Sequence, residues 1–585
     1  MTLINLLTLV AVTAVAKQQP NLILILTDDQ NSHDDYKHMP KLKKYLADEG
    51  TTIKNAFVST PVCCPSRSSI YTGKYIHNIG VHNNSAGAGG CGSLEFANGP
   101  EKQNIAHFLN ERNYHTSFSG KYLNNYGFGS NEGSTFALPQ CLNSTFTQEA
   151  ANMDWACAMP IHHIPRGWNN WQALVGNSIY YNYSMSNNGQ REEHGNIYSE
   201  DYFIDVVKNR SMEFIADHHE NAPPNQPFFV TAAVPGVHEP ADPAPQHANY
   251  SAGMKAPRNP NYNKVMADDN RHWMIENVNV NGSQFNETVE GFVDLLYRRR
   301  LAVLQSIDDF VEELVLQLES IGELSNTYII YTSDNGYHLG EFAVPIDKRL
   351  PYESDVRVPT YVRGPGVRKG HEMVKEGFMV NVDISPTLLR MSGAGDQEVE
   401  GLGFDGSGEV YDLLMGETEK GKEKGKKKKK KKKKKRTTFL LEYEGENFDG
   451  CFGYLNNTYN EVVDDDVGYT FNKMKDGINC GLRGPFSYKT EPLWEGTETF
   501  GTIQDATNNT YNCVREIDGE EGIDMQFCKF VTGEVEIYDL VDDPYQLSNL
   551  YKGVGGGNDQ RELDEWERKL KELKECEGGA CSNVR

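Results

Sequence analysis

Two pairs of hard oxygen donors, Asp28-Asp29 and Asp334-Asn335, are the first residues in this sequence that could do chemistry. Carboxylate and amide oxygens suit calcium or magnesium rather than zinc, which takes nitrogen and sulfur more readily. Adjacent acids are common in turns, so the pairs gain meaning only from their company. Arg67, Lys121 and Lys348 offer positive charge for an anion, and His238 and His338 carry rings whose ordinary pKa near 6.5 suits proton transfer. Cys63, in Cys63-Cys64-Pro65-Ser66-Arg67, reads by itself as a disulfide cysteine beside a proline turn. Yet the eleven cysteines are an odd number, which leaves one sulfur without an intramolecular partner in an exported chain. No C-x-x-C pair or Cys/His cluster has zinc spacing. Singly, each cation is a surface charge and each histidine a structural one; any role rests on membership of the set.

Three apolar runs lead into these residues. Asn21 to Thr27 precedes Asp28-Asp29, Phe228 to Val234 leads to His238, and Thr327 to Thr332 leads to Asp334-Asn335. Short continuous apolar runs suit strands buried on both faces. Leu301, Leu304, Val311, Leu314, Leu318 and Ile321 recur at near-helical spacing before the third run. The pattern predicts an open α/β sheet, mostly parallel and flanked by helices, with ligands bound outside the carboxyl ends of its strands. Later, Thr438 to Tyr443 and Val535 to Leu540 read as strands of a smaller sheet. Leu563, Trp566, Leu570 and Leu573 mark an amphipathic terminal helix.

The chain has 585 residues and a formal charge of −25. Its 38% hydrophobic content excludes wholesale disorder, and a generally acidic body argues against a nucleic-acid-coating protein. Charge is uneven: Lys420 to Arg436 holds thirteen Lys, one Arg and one Glu, a run expected to be solvated because it has no apolar face. Met1 to Ala16 is largely apolar and ends Ala14-Val15-Ala16, the pattern of a secretory signal too short to span a bilayer. Asn83, Asn143, Asn182, Asn209, Asn249, Asn281, Asn286, Asn456 and Asn508 each begin an Asn-X-Ser/Thr sequon, which supports export. The expected organisation is a signal over 1–16, a catalytic domain over 17–415 and a Lys-rich insert over 416–437. A C-terminal subdomain over 438–550 and a tail with one helix over 551–585 complete it.

The segment Cys63 to Lys74 resembles the signature of the sulfatase family, C-x-P-S-R followed by Thr72-Gly73-Lys74. Ser119-Gly120-Lys121-Tyr122-Leu123-Asn124, Ser333 to Gly340, Ile346-Asp347-Lys348-Arg349, Val362-Arg363-Gly364-Pro365-Gly366 and Asn508 to Arg515 resemble the lysosomal N-acetylglucosamine-6-sulfatase branch of that family. The likeness extends over nearly the whole mature chain, apart from the Lys tract, parts of residues 130–165 and the tail. It implies an alkaline-phosphatase-like α/β fold, one calcium ion held by Asp28, Asp29, Cys63, Asp334 and Asn335, and oxidation of Cys63 to formylglycine by the formylglycine-generating enzyme during secretion. It also implies that Arg67 holds the hydrated aldehyde, Lys121 and Lys348 contact sulfate, and His238 and His338 handle protons. The implied substrate is the 6-O-sulfate of N-acetylglucosamine units in heparan or keratan sulfate, and the implied location lysosomal or extracellular. Two positions depart from the pattern: Leu123 stands where arylsulfatases carry a histidine, and Val237 where the P-H-x-P element has its first proline. A phosphatase of the same superfamily would expect a Ser or Thr nucleophile instead. A silent glycan-binding protein would keep the scaffold without formylglycine, and an extracellular endosulfatase shares several motifs.

Overall fold

The computed structural model describes residues 18–31, 37–84, 89–129, 158–266, 271–272, 275, 284–285, 287–416, 435–444, four short strands between 462 and 502, 509–553 and 560–584. Its main sheet has ten strands: β1 (Asn21–Thr27), β2 (Thr51–Ile53), β3 (His115–Gly120), β4 (Asn170–Leu174), β5 (Ser184–Asn187), β6 (Gln190–Glu193), β7 (Phe228–Ala233), β8 (Thr327–Ser333), β9 (Tyr361–Arg363) and β10 (His371–Met373). Their order is β10-β2-β9-β8-β1-β7-β3-β4-β5-β6. The five central strands, β8-β1-β7-β3-β4, run parallel. Antiparallel pairing begins at β9 on one side and β5 on the other. The sheet is therefore parallel where both faces are covered and mixed at its margins.

Coverage explains the continuous apolar runs. Leu22, Leu24 and Leu26 of β1 face a cluster with Ile70, Leu109 and Leu388, from helices α1 (Cys63–Thr72), α2 (Ile105–Glu111) and α5 (Ile384–Met391). Ile23 and Ile25 face the other way, against Val207 and Ile215 of α3 (Phe203–Asn221) and Leu304 and Val311 of α4 (Glu287–Ser320). Each such fully buried aliphatic side chain contributes about 1.5–3 kcal/mol, so a polar residue within β1 would be costly on either face. The periodic run from Leu301 lies in α4, which ends one residue before Ile321.

A second sheet of four antiparallel strands follows: β11 (Thr438–Tyr443), β12 (Tyr511–Asp518), β13 (Ile523–Phe530) and β14 (Val535–Asp539). Trp566, Leu570 and Leu573 of α6 (Gln560–Lys574) pack on it, and Phe57, Val62 and Val356 join it to the main body. The four short strands pair as two hairpins, Val462–Asp464 with Tyr469–Phe471 and Lys489–Pro492 with Thr499–Thr502.

Arg436, grouped with the solvated insert, is buried and forms a two-pronged ion pair with Asp383 (Nη1 to Oδ1 3.0 Å). A planar guanidinium is suited to that geometry, and the pair ties the lead-in of β11 to the residues before α5. The signal segment and residues 417–434 of the Lys-rich run lie outside the described residues. So do the sequons at Asn143, Asn281, Asn286, Asn456 and Asn508. Asn182, Asn209 and Asn249 are exposed, whereas Asn83 is buried. Six cysteines pair as Cys64–Cys91, Cys513–Cys528 and Cys576–Cys581; among the described residues Cys63 is the free one. No described helix is long and apolar enough to cross a membrane.

Candidate active site

The carboxyl ends of β1, β7 and β8 meet because these strands are neighbours, with Thr27 beside Ser333 and Leu26 beside Ala233. Their loops then approach closely. Gly236 (φ 56°) lies so near the Asp28 backbone that an added Cβ would sit 2.3 Å from its nitrogen, so only glycine fits there. Asp29 itself is held at φ 62°, a conformation uncommon for a residue with a Cβ. Cys63 opens α1 after the extended Val62, and Cys63, Ser66 and Arg67, at positions i, i+3 and i+4, share one face of that helix. Gly73 (φ 65°) ends the helix against the Phe404 ring.

Carboxylate oxygens of Asp28, Asp29 and Asp334 lie within 4.8 Å of one another. Asp28 Oδ2 accepts from Lys121 Nζ at 2.6 Å and from the Ser178 hydroxyl. Asp29 Oδ1 accepts from Lys348 Nζ at 2.5 Å and from Asn335 Nδ2 at 2.8 Å. Asp334 accepts from Arg67 Nε at 2.7 Å and from the Asp29 N–H at 3.1 Å. The Cys63 sulfur lies 3.5 Å from Asp28 Oδ1 and 3.9 Å from Asp29 Oδ1. His238 turns Nε2 toward Asp29 Oδ2 at 3.8 Å, while its Nδ1 bonds the Glu239 carbonyl at 2.7 Å. Nine of the ten residues singled out in the sequence thus gather at one place. His338 stands apart: its Nδ1 bonds Asp355, and it makes no ion pair with Asp28, Asp29 or Asp334.

Burial and charge compete throughout the cluster. Burial would raise Asp28, but Lys121, His238, Arg67 and Lys348 hold it well below the usual carboxylate range. Asp29 is lowered as Lys348 and His238 outweigh its burial. Asp334 is pushed up to about 7 by burial and by the charge of Asp28. Burial pushes the Cys63 thiol up to about 12 and pulls His238 down to about 4, so the imidazole is neutral at pH 7.

These residues fit a hard divalent cation. Asn335 Oδ1 is buried with no hydrogen-bond partner, an orphan acceptor beside three carboxylates, and such an atom is costly to bury unless something positive faces it. Counting the three carboxylates as ionised, they balance Arg67, Lys121 and Lys348. A divalent cation would therefore leave the site net positive, as binding an anion requires.

Two contributors escaped the sequence reading. Ser178 follows β4 in an unremarkable Gly176-Asn177-Ser178 turn, and only its position against Asp28 marks it. Arg300 gives its Nη2 to the Asp29 carbonyl at 2.8 Å and its Nη1 to the Val237 carbonyl at 3.1 Å, bridging two of the three loops. A signal for Arg300 did exist: it falls between Leu296 and Leu304 at four-residue spacing, a charge within the apolar stripe of α4.

A family model described as Sulfatase matches residues 20–394. N-acetylglucosamine-6-sulfatase of Capra hircus is 34% identical over 578 residues, covering 98% of this chain and 86% of that protein. The Homo sapiens protein of the same name is also 34% identical, covering 97% and 87%. A putative extracellular sulfatase Sulf-1 homolog of Caenorhabditis elegans is 39% identical, over 64% of this chain and 47% of its own length. Among solved structures, that of BT4656 in complex with its substrate D-glucosamine-2-N,6-O-disulfate superposes with a TM-score of 0.62 at 19% identity, covering 95% of this chain and 97% of that one. The phosphonate monoester hydrolase of Agrobacterium radiobacter gives 0.54 at 15% identity, with 96% of each covered. At such identities these two likenesses speak for the fold alone.

Proposed function

The chain belongs to the sulfatase family and is a sulfuric ester hydrolase, and from that premise we propose that it removes the 6-O-sulfate of N-acetylglucosamine units in glycosaminoglycans. The observation that carries the substrate is the 34% identity to N-acetylglucosamine-6-sulfatases along nearly the whole chain, C-terminal sheet included.

In this reading Asp28, Asp29, Asp334 and Asn335 would hold a calcium ion beside residue 63, and the ion would supply positive charge that favours the ionised nucleophile and offsets charge on sulfate oxygens. Cys63 would be present as formylglycine, whose hydrate would offer one hydroxyl to displace the alcohol at sulfur and a second whose deprotonation would re-form the aldehyde as the C–O bond to sulfate breaks. The chain's own side chains supply the remainder. Arg67, fixed by Asp334 and the Lys121 carbonyl, orients residue 63 from one turn further along the same helix. Lys121, held by Asp28, and Lys348, held by Asp29, bind the sulfate oxygens. His238 presents Nε2 to the site, and an anionic ester beside the ring favours its protonated form, which gives the proton that the departing alcohol needs. Export through the secretory pathway, to the lysosome or outside the cell, goes with this reading, since that route carries the enzyme that oxidises the cysteine.

Peptide mass analysis around Cys63, paired with turnover of N-acetylglucosamine 6-sulfate against the 3-sulfate and 4-sulfate isomers, tests the proposal. A converted residue and a clear 6-sulfate preference support it. An intact thiol in an active enzyme would refute the mechanism, and preference for another isomer would refute the substrate. One further reading is an extracellular endosulfatase, acting within intact chains, and the likeness to an extracellular sulfatase homolog of Caenorhabditis elegans goes with an extracellular sulfatase. Release of sulfate from long heparan chains, with none from the monosaccharide, would select it.

A further inference from the structure

We propose that His338 is a positioning residue: with Asp355 it clasps the 338–350 loop and so sets the place of Lys348, an inference that rests on the sulfate-binding role given to Lys348 above. The loop is strained. Phe342, Ala343, Asp347 and Arg349 have φ of 56°, 59°, 127° and 87°, and the last two flank Lys348 directly. Sparsely populated backbone conformations are unfavourable for residues with a Cβ and persist only where surrounding contacts over-determine them. Such contacts must therefore exist around Lys348.

They converge on one carboxylate. Both oxygens of the fully buried Asp355 face His338 Nδ1, at 3.0 and 3.1 Å. The same group accepts the Leu350 N–H at 2.9 Å and the Ser354 hydroxyl at 2.9 Å. Asp355 thereby joins the first and last residues of the loop. The His338 N–H reaches across to the Asp347 carbonyl at 2.8 Å, pinning the residue before Lys348. On the other side the Arg349 N–H donates to the Pro61 carbonyl at 3.0 Å, and the Arg349 carbonyl accepts from Asn509 Nδ2 at 3.3 Å. Phe342, Val344 and Leu350 bury against Tyr538 and Leu540, so the C-terminal sheet backs the loop. A proton-transfer role fits this ring less well than it fits His238. One nitrogen of His338 is committed to Asp355, and the other is buried with no hydrogen-bond partner.

A double-mutant cycle separates the two roles. His338→Gln should lower kcat/KM for N-acetylglucosamine 6-sulfate by about 10²-fold, the order expected when a binding group shifts by about 1 Å. In a Lys348→Ala background the same change should cost less than about 2-fold, because the group it positions is gone. Independent, multiplying losses overturn the inference, as does full activity in His338→Gln. Hydrogen exchange supplies a readout apart from catalysis: amides of residues 341–350 should exchange faster in His338→Gln, with β1 and β8 unchanged. Unaltered protection in 341–350 overturns the clasp. Asp355→Asn should reproduce both results and carries the cycle if His338→Gln fails to fold. A Lys348→Ala enzyme with wild-type kinetics would remove the role of Lys348, and this inference with it. A wrong substrate would leave the exchange result standing, so the two readings fail separately.

Discussion

Replacing Arg300 by Met removes the guanidinium and keeps a stem of similar length. The group is fully buried, bonds the Asp29 and Val237 carbonyls at 2.8 and 3.1 Å, and lies 4.5 Å from the centre of the Tyr337 ring. Two buried carbonyls deprived of these donors cost about 1–3 kcal/mol each, and the lost cation–ring contact adds about 1 kcal/mol. Relief from burying a charge returns part of that. The net destabilisation should be about 2–4 kcal/mol, below the 5–15 kcal/mol or so that holds an ordinary domain together, so the variant should fold. The damage should concentrate on the site, because Asp29 is held in its left-handed conformation partly through the carbonyl that Arg300 grips. Urea unfolding with and without calcium measures both effects. The midpoint should fall, the stabilisation gained from calcium should shrink as affinity drops, and kcat/KM should fall at least about tenfold. A variant within about 0.5 kcal/mol of wild type, with an unchanged calcium response, would refute the bridging argument.

Cys63→Ala and Cys63→Ser should each nearly abolish sulfate release while leaving the urea midpoint close to wild type; retained turnover in either counts against formylglycine. Deleting Lys420 to Lys434 should leave turnover of a small sulfated sugar unchanged. Extending the deletion through Arg436 should cost about 3–5 kcal/mol by stranding the buried Asp383, a difference that thermal unfolding of the two deletions would reveal or exclude. His77 offers a pH test. Burial pulls its pKa down, but the hydrogen bond and charge of Glu442, with the Cys576 carbonyl, raise it to about 9. A raised histidine contributes fully below about 6.5, where the unfolded ring is also protonated, and loses that contribution as pH climbs through about 9. His77→Gln should therefore cost up to ~3 kcal/mol at pH 6 and little at pH 10, as paired urea titrations would show; equal costs at both pH values contradict the assignment.

The strands that carry the site were legible because burial on both faces forces continuous apolar runs, and β1, β7 and β8 follow such runs to within a residue or two. The helix α4 was legible for the complementary reason, a single apolar stripe. The mixed margins of the sheet were not, since short strands such as Tyr361–Arg363 and His371–Met373 lack any period long enough to read. Arg436 was misplaced because composition speaks for the run and not for its last residue, whose partner lies 53 positions away.

Residue type and spacing by themselves determined which side chains could act: the oxygen donors, the cysteine in its proline-arginine frame, and the cations. Tertiary structure alone decided who stands beside whom. Packing three parallel strands side by side put Asp29 and Asn335, 306 positions apart, within a hydrogen bond of each other. It also drew in Ser178 and Arg300 and set His338 against Asp355 rather than among the carboxylates. The physical reason is that a local pattern records whether a residue faces core or water, while its chemical role depends on partners brought close by loop closure across the whole chain.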